Sequence, residues 1–257
     1  MNLQKIFFLP ENASSHGHEI DMMIYLVHGL MLALFVGWAV YFVVVLLRFN
    51  RRVNPKANYT GTTSHISTVI EVVVIVAEII LLIGFSIPFW AKQVNDLPNR
   101  PDVIHVQVKA EQFAWNVRYP GADGVFGKTG LEFYDKQSNP WGIDSRDPSG
   151  KDDITTINQL VLPIGRTVIV HLTSQDVVHS FALQEMRVKQ DVIPGLSIPA
   201  WFTPTKTGDW EIACAQLCGI GHYRMKGFLK IRTQEDYDAW LLSNAPVPDS
   251  GGDDFWN

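Results

Sequence analysis

Two almost unbroken apolar runs, Met22 to Leu47 and Val69 to Trp90, restrict what this 257-residue chain can become. Each exceeds the roughly 20 residues that a helix needs to cross the hydrocarbon core of a bilayer. Apolar residues make up 47% of the chain, which is ordinary for a soluble protein, so their crowding into the first hundred positions carries the signal. Arg48, Arg51, Arg52 and Lys56 lie between the runs with no acid among them, which places that loop on the cytoplasmic side and both termini outside. The short stretch Ile6 to Leu9 ends at Pro10 and is too brief for a signal-peptide core, so the first run is expected to stay as an anchor. The expected order is an external segment 1–21, a span 22–47, a basic loop 48–68 and a second span 69–90.

After residue 100 the period changes. Val103 to Val108 alternates apolar and polar residues, and Thr167 to Leu172 is a dense β-branched run. Pro163 to Gly165, Pro194-Gly195 and Thr207 to Asp209 punctuate further short strands. Trp210 to Ala213 leads directly into Cys214, and Gly227 to Ile231 follows Met225. The expectation for 101–233 is an all-β Greek-key sandwich with a ligand-bearing loop between its last two strands. Gly121 to Asp153, rich in Gly, Asp, Ser and Pro, reads as long surface connections. Thr233 is placed to cap a short helix from Gln234 to Leu242 within a terminal segment 234–257. Glu235, Asp236, Asp238, Asp249, Asp253 and Asp254 give that end a solvated acidic character. Net charge is −5 with no basic stripe, which argues against nucleic acid as a partner.

The chemistry concentrates in Cys214, Cys218, His222 and Met225, spaced Cys-x3-Cys-x3-His-x2-Met, with His179 upstream. Two thiolates, two imidazoles and a thioether form a soft donor set that selects copper over magnesium, calcium or manganese. A mononuclear blue-copper site needs one Cys, two His and an axial Met; a second Cys lets two sulfurs bridge two metals. His179 and His222 then supply one nitrogen to each metal, Met225 a weak axial sulfur, and the Gln216 backbone carbonyl the matching axial oxygen. No position is left for substrate, so electron transfer fits better than catalysis at the metal. Other uses of these residues stay open: a disulfide between the only two cysteines, a Cys2His2 zinc site without a role for Met225, or a copper-delivery factor using the Cys-x3-Cys pair. The last usually stands on a βαβ scaffold, for which no pattern is present.

Asp176 to Phe181, Lys189 to Gly195, and Cys214 to Met225 closely resemble the metal-binding blocks of subunit II of haem–copper cytochrome c oxidases. The two-span hairpin followed by a cupredoxin domain is similar as well, across nearly the whole chain. Quinol-oxidising relatives lack the copper ligands, whereas all are present here. The resemblance implies a dinuclear copper A centre that takes electrons from a c-type cytochrome and hands them to haem in subunit I. There oxygen is reduced to water and protons are pumped, so the other oxidase subunits and membrane lipid are implied partners. A bacterial plasma membrane is the expected location, with the mitochondrial inner membrane as the other candidate.

The chain departs from the family pattern at several points. Gln216 replaces the usual Glu, and a neutral amide is a poorer ligand for a hard cation, so the interface magnesium is in doubt. Phe113 stands where the family has the tryptophan that accepts electrons, with Trp115 the nearest aromatic of the usual kind; ordinary packing explains both equally well. In the second span Glu71 matches a family acid near the cytoplasmic end, and Glu78 replaces a proline; spaced by seven, they share nearly one helix face and are candidates for a proton path. Glu71 read as a charge at the headgroup level is the competing view. Asp176 matches a position implicated in docking the cytochrome. His16, His18, His65, His105 and His171 lack metal spacing, and His28 is expected to pair with a neighbouring helix.

Overall fold

The computed structural model describes residues 3–56, 59–61 and 63–246, so the acidic positions Asp249, Asp253 and Asp254 lie outside the described residues. The chain forms two units, one of residues 1–7 and 19–96, the other of residues 8–18 and 97–257.

The first unit is helical. A short α1 (Leu3–Ile6) precedes α2 (Gly17–Arg48); α3 (Ile66–Ile79) passes through a π-helical stretch, Ile80–Ser86, into α4 (Ile87–Asn95). Gly17–Arg48 and Ile66–Asn95 are both long and apolar enough to cross a membrane. They exceed the apolar runs because polar turns continue each helix: Glu19 suits the positive N-terminal end of α2, and its carboxylate meets Lys92 Nζ at 3.0 Å. No side chain of α3 or α4 is buried within the chain. Such apolar helix surface needs lipid or other membrane helices around it. His28 Nδ1 donates to the Ile24 carbonyl one turn back, at 2.7 Å, and Phe7 lies edge-on to its ring.

The second unit is a sandwich of two five-stranded sheets. The first has the order β3 (Ile154–Ile157), β2 (Ala114–Tyr119), β1 (Ile104–Glu111), β5 (Val168–Ser174), β8 (Ile198–Phe202). The second runs β4 (Gln159–Pro163), β10 (Lys226–Arg232), β9 (Gly208–Cys214), β6 (His179–Leu183), β7 (Val188–Val192). Alternation does the sorting: Val106, Val108 and Ala110 of β1 and Val168, Val170 and Leu172 of β5 point inward and are fully buried. They meet Trp115, Leu160, Leu162, Phe181, Ile212, Leu229 and Ile231. Each such aliphatic side chain contributes about 1.5–3 kcal/mol of transfer free energy. Two pairings are parallel, β1 with β5 and β4 with β10, which closes the Greek-key sandwich.

Residues 121–153 are the expected long surface connections, and they do more than connect. They pack onto the outer face of β1 and β2 and bury Lys109, Glu111, Asn116 and Arg118. Arg118 is paired with Asp153, its Nε donating to the carboxylate at 2.9 Å, and a second nitrogen donates to the Gly127 carbonyl at 2.6 Å. Lys109 Nζ lies 4.9 Å from the Trp141 ring centre. Arg118 finds its partners beneath this cover, whereas Asn116 Nδ2, Trp141 Nε1 and Asp153 Oδ1 are buried there without a hydrogen-bond partner among the described residues.

Both ends of the β domain extend past the expected limits. Ala13 is fully buried; its N–H donates to Glu185 O and its carbonyl accepts from Thr205 N–H, each at 2.8 Å. The segment expected to be external thus stitches two loops of the sandwich together. At the other end α5 (Gln234–Asn244) runs two residues beyond Leu242, with Thr233 Oγ1 accepting from Asp236 N–H at 3.1 Å. Its Trp240 packs edge-on against Tyr119, at 5.1 Å between ring centres.

Candidate metal centre

Strand pairing brings the donors together. Phe181 of β6 lies opposite Cys214, the last residue of β9, and the Ala215 N–H donates to Ser180 O at 2.9 Å. His179 lies two residues before Phe181, so it faces the same side and reaches the loop that leaves Cys214. That loop returns through a 3-10 turn, His222–Arg224, and places Met225 immediately before β10.

The two sulfurs stand 3.8 Å apart, and both cysteines are free thiols; a disulfide requires about 2.05 Å. His179 Nδ1 lies 3.9 Å from Cys214 Sγ, and His222 Nδ1 lies 3.6 Å from Cys218 Sγ. Met225 Sδ is 3.7 Å from Cys218 Sγ, and the Gln216 carbonyl is 3.2 Å from Cys214 Sγ. All six sequence-selected donors therefore form one connected cluster, and the metal-facing atoms of His179, Cys214 and Cys218 lie within 4.8 Å of one another. The residues fit copper. The donors are soft and sulfur-rich, His179, Cys218 and Met225 are buried, and the cluster offers no carboxylate that a hard cation would demand. Burial, reinforced by the neighbouring Cys214 thiol, pushes the Cys218 thiol up to about 11, so metal binding must displace its proton.

The opposite edge of His179 is fixed too. Its Nε2–H donates to Asp176 Oδ1 at 2.9 Å, which leaves Nδ1 facing the sulfurs. Burial alone would raise the Asp176 carboxyl. Hydrogen bonds from His179, Gln112 and Val177 outweigh that and hold it below its ordinary value. The acid expected at the docking surface is thus engaged with His179.

Trp115 is fully buried and stands 6.3 Å from His179, between ring centres. It lies inside the sandwich, where a donor protein has no direct access. Phe113 is half-buried against the metal loop: a Cβ on Gly221 would come within 2.3 Å of its ring. Leu217, Ile220 and Tyr223 project from the same loop and are 77%, 95% and 86% exposed. The Gln216 residue is exposed as well. Glu71 and Glu78 lie on α3, in the helical unit. Sequence reasoning missed Gln112, whose side-chain amide donates to the Cys218 carbonyl at 2.7 Å. A grip on a backbone atom has no signature in residue type.

The family profile described as "Cytochrome C oxidase subunit II, periplasmic domain" matches residues 104–231. A probable cytochrome c oxidase subunit 2 of Streptomyces avermitilis is 32% identical over 222 residues, covering 79% of this chain and 68% of that one. The chain belongs to the cytochrome c oxidase subunit II family. An alternative cytochrome c oxidase subunit 2 of Bradyrhizobium diazoefficiens is 39% identical over 141 residues, 54% of this chain and 50% of that relative, so the match spans half of its length. The crystal structure of the periplasmic domain of subunit II (CoxB) of Bradyrhizobium japonicum is 26% identical, covers 57% of this chain and 95% of that one, and has a TM-score of 0.42. As a subunit II, the chain pairs two apolar helices with a cupredoxin-type β-sandwich and a cysteine–histidine cluster at one loop.

Proposed function

We propose that this subunit II is the electron-accepting subunit of a respiratory oxidase, holding a dinuclear copper A centre. The observation that carries the reading is the pair of thiols 3.8 Å apart, each faced by one imidazole Nδ1. Cys214, Cys218, His179 and His222 would hold the copper with their thiolates and imidazoles, and Met225 and the Gln216 carbonyl would add weaker donors. Bound there, copper would supply one-electron redox chemistry between a c-type cytochrome donor and haem in subunit I, the site of oxygen reduction and proton pumping.

The remaining roles follow from the chain's own residues. Burial of His179 and Cys218 keeps water from the centre. Exposed Leu217, Ile220 and Tyr223 give an apolar rim for a partner protein, and Phe113, packed on the same loop, is the aromatic nearest that rim. Trp115 supports His179 from within, and Asp176 orients it while leaving part of its carboxylate to solvent. Glu71 and Glu78 would serve proton uptake or bonding to subunit I from one face of α3. Gln216 disfavours a magnesium ion at that boundary. The basic loop 48–68 supports a copper domain on the outer face of a bacterial plasma membrane.

The test uses the purified oxidase complex, with copper counting, EPR and cytochrome c oxidation. Wild type is expected to hold two coppers in this subunit sharing one unpaired electron, and His179→Ala and Cys218→Ser to lose both signal and turnover. Gln216→Ala is expected to keep its copper, since only a main-chain oxygen is used. Zinc in place of copper, or wild-type turnover in either ligand variant, overturns the proposal.

A further inference from the structure

We infer that Gln112 is a positioning residue of the metal centre, clamping the segment that carries His179 to the segment that carries Cys218. Gln112 lies in the short turn between β1 and β2, outside both ligand segments. Its backbone N–H donates to Asp176 Oδ2 at 2.8 Å, and the other oxygen of that carboxylate accepts from His179 Nε2–H at 2.9 Å. Its side-chain Nε2 donates to the Cys218 carbonyl at 2.7 Å. Its own carbonyl accepts from Lys136 Nζ at 3.3 Å. One residue thus bears on both sides of the cluster, by its main chain toward the histidine and by its side chain toward the cysteine.

The metal loop is shaped to admit this contact. Gly219 has φ +129°, and a Cβ there would come within 2.7 Å of Gln112 Nε2. A glycine next to Cys218 therefore serves both the backbone conformation and the approach of the amide. The bond to Asp176 is charge-assisted, and such bonds are roughly twice as strong as neutral ones. Loss of groups that orient metal ligands typically costs about 10–100-fold in metal affinity or activity.

This inference rests on the copper reading for its spectroscopic readout but also makes a metal-free prediction. Gln112→Glu is nearly isosteric and replaces the donor with a carboxylate facing the Cys218 carbonyl; Gln112→Ala removes the donor without adding charge and keeps the backbone bond to Asp176. Both variants are made in the full chain and purified in the oxidase complex. Copper affinity is expected to fall about 10–100-fold, with an altered EPR hyperfine pattern at full copper loading. In the full chain stripped of metal, amides of residues 216–224 are expected to exchange hydrogen at least tenfold faster than in wild type, with β1 and β5 unchanged. Wild-type EPR together with wild-type exchange in Gln112→Ala overturns the clamp, and that variant decides if Gln112→Glu does not assemble. Absence of copper from the wild-type complex strikes the metal reading, while the exchange comparison still judges the clamp on its own.

Discussion

The indole of Trp115 stands edge-on to the imidazole of His179, with ring centres 6.3 Å apart and planes inclined by 62°. Both side chains are fully enclosed, and Phe181 closes a second edge of the indole at 5.5 Å. His179 is thus held between the Asp176 carboxylate at one nitrogen and an aromatic wall at its side. An imidazole so confined has one ring orientation, with Nδ1 toward the sulfurs, before any metal arrives. Core packing and ligand geometry are the same set of contacts here.

Trp115→Ala removes that wall. Burying an aromatic of this size and then deleting it costs about 3–5 kcal/mol. Guanidinium unfolding of the detergent-solubilised full chain should show a loss in that range, and copper affinity should fall because His179 gains rotational freedom. A loss below about 1 kcal/mol would show that the wall is dispensable.

Phe113 and Gly221 form a second coupled pair. A Cβ at Gly221 would sit 2.3 Å from Phe113 Cδ2, so Gly221→Ala must displace the ring. Overpacking of this kind costs about 1–3 kcal/mol. Phe113→Leu should relieve most of it, and a double-mutant cycle on thermal stability should give a coupling above about 0.5 kcal/mol. Additive effects would mean that the loop moves instead of the ring.

What the sequence reveals depends on whether the signal is local. Cys214, Cys218, His222 and Met225 sit within one loop, and their donor types admit few metals, so the cluster is legible from spacing alone. The strands declare themselves by alternation, as at Val106, Val108 and Ala110. The burial of Arg118 and Lys109 has no such local signal: they alternate outward from the core, and the irregular segment 120–153 folds back to cover them. Ala13 carries no periodic pattern, and only its bonds to Glu185 and Thr205 reveal that residues 8–18 belong to the sandwich. Asp176 was legible as a position of interest, yet its bond to His179 required the turn before β6 to be folded.

Asp153→Asn tests the covered face. Asp153 accepts from Arg118 Nε at 2.9 Å, and Arg118 is 1% exposed. Removing one partner of a buried pair strands the other charge and costs about 3–5 kcal/mol. Asn keeps the shape while losing the charge, so the loss measures electrostatics. Denaturant titration should give an unfolding free energy lower by that amount, with an earlier midpoint, and proteolysis should begin within residues 120–153. An unchanged midpoint would mean that water reaches Arg118.

Lys109 gives the same face a pH response. Burial lowers its pKa from 10.5 to about 8, with Glu111 opposing and Arg118 adding to the shift. The Tyr134 and Trp141 rings line the remaining side, and Tyr134 itself is raised, first by burial and then by Glu111. The folded state therefore sheds the Lys109 proton at lower pH than the unfolded chain does. Below pH 8 the folded state carries the full penalty of a buried ammonium; between pH 8 and 10.5 the unfolded chain binds more protons, and stability rises. Lys109→Met keeps the apolar stem and cannot titrate, so it serves as the reference. The melting temperature of wild type relative to Lys109→Met should climb by about 2–4 °C between pH 7.5 and 9.5, the response of a domain this size to roughly 1 kcal/mol. A flat difference across that window would mean that Lys109 keeps its ordinary pKa and that the cover over β1 admits solvent.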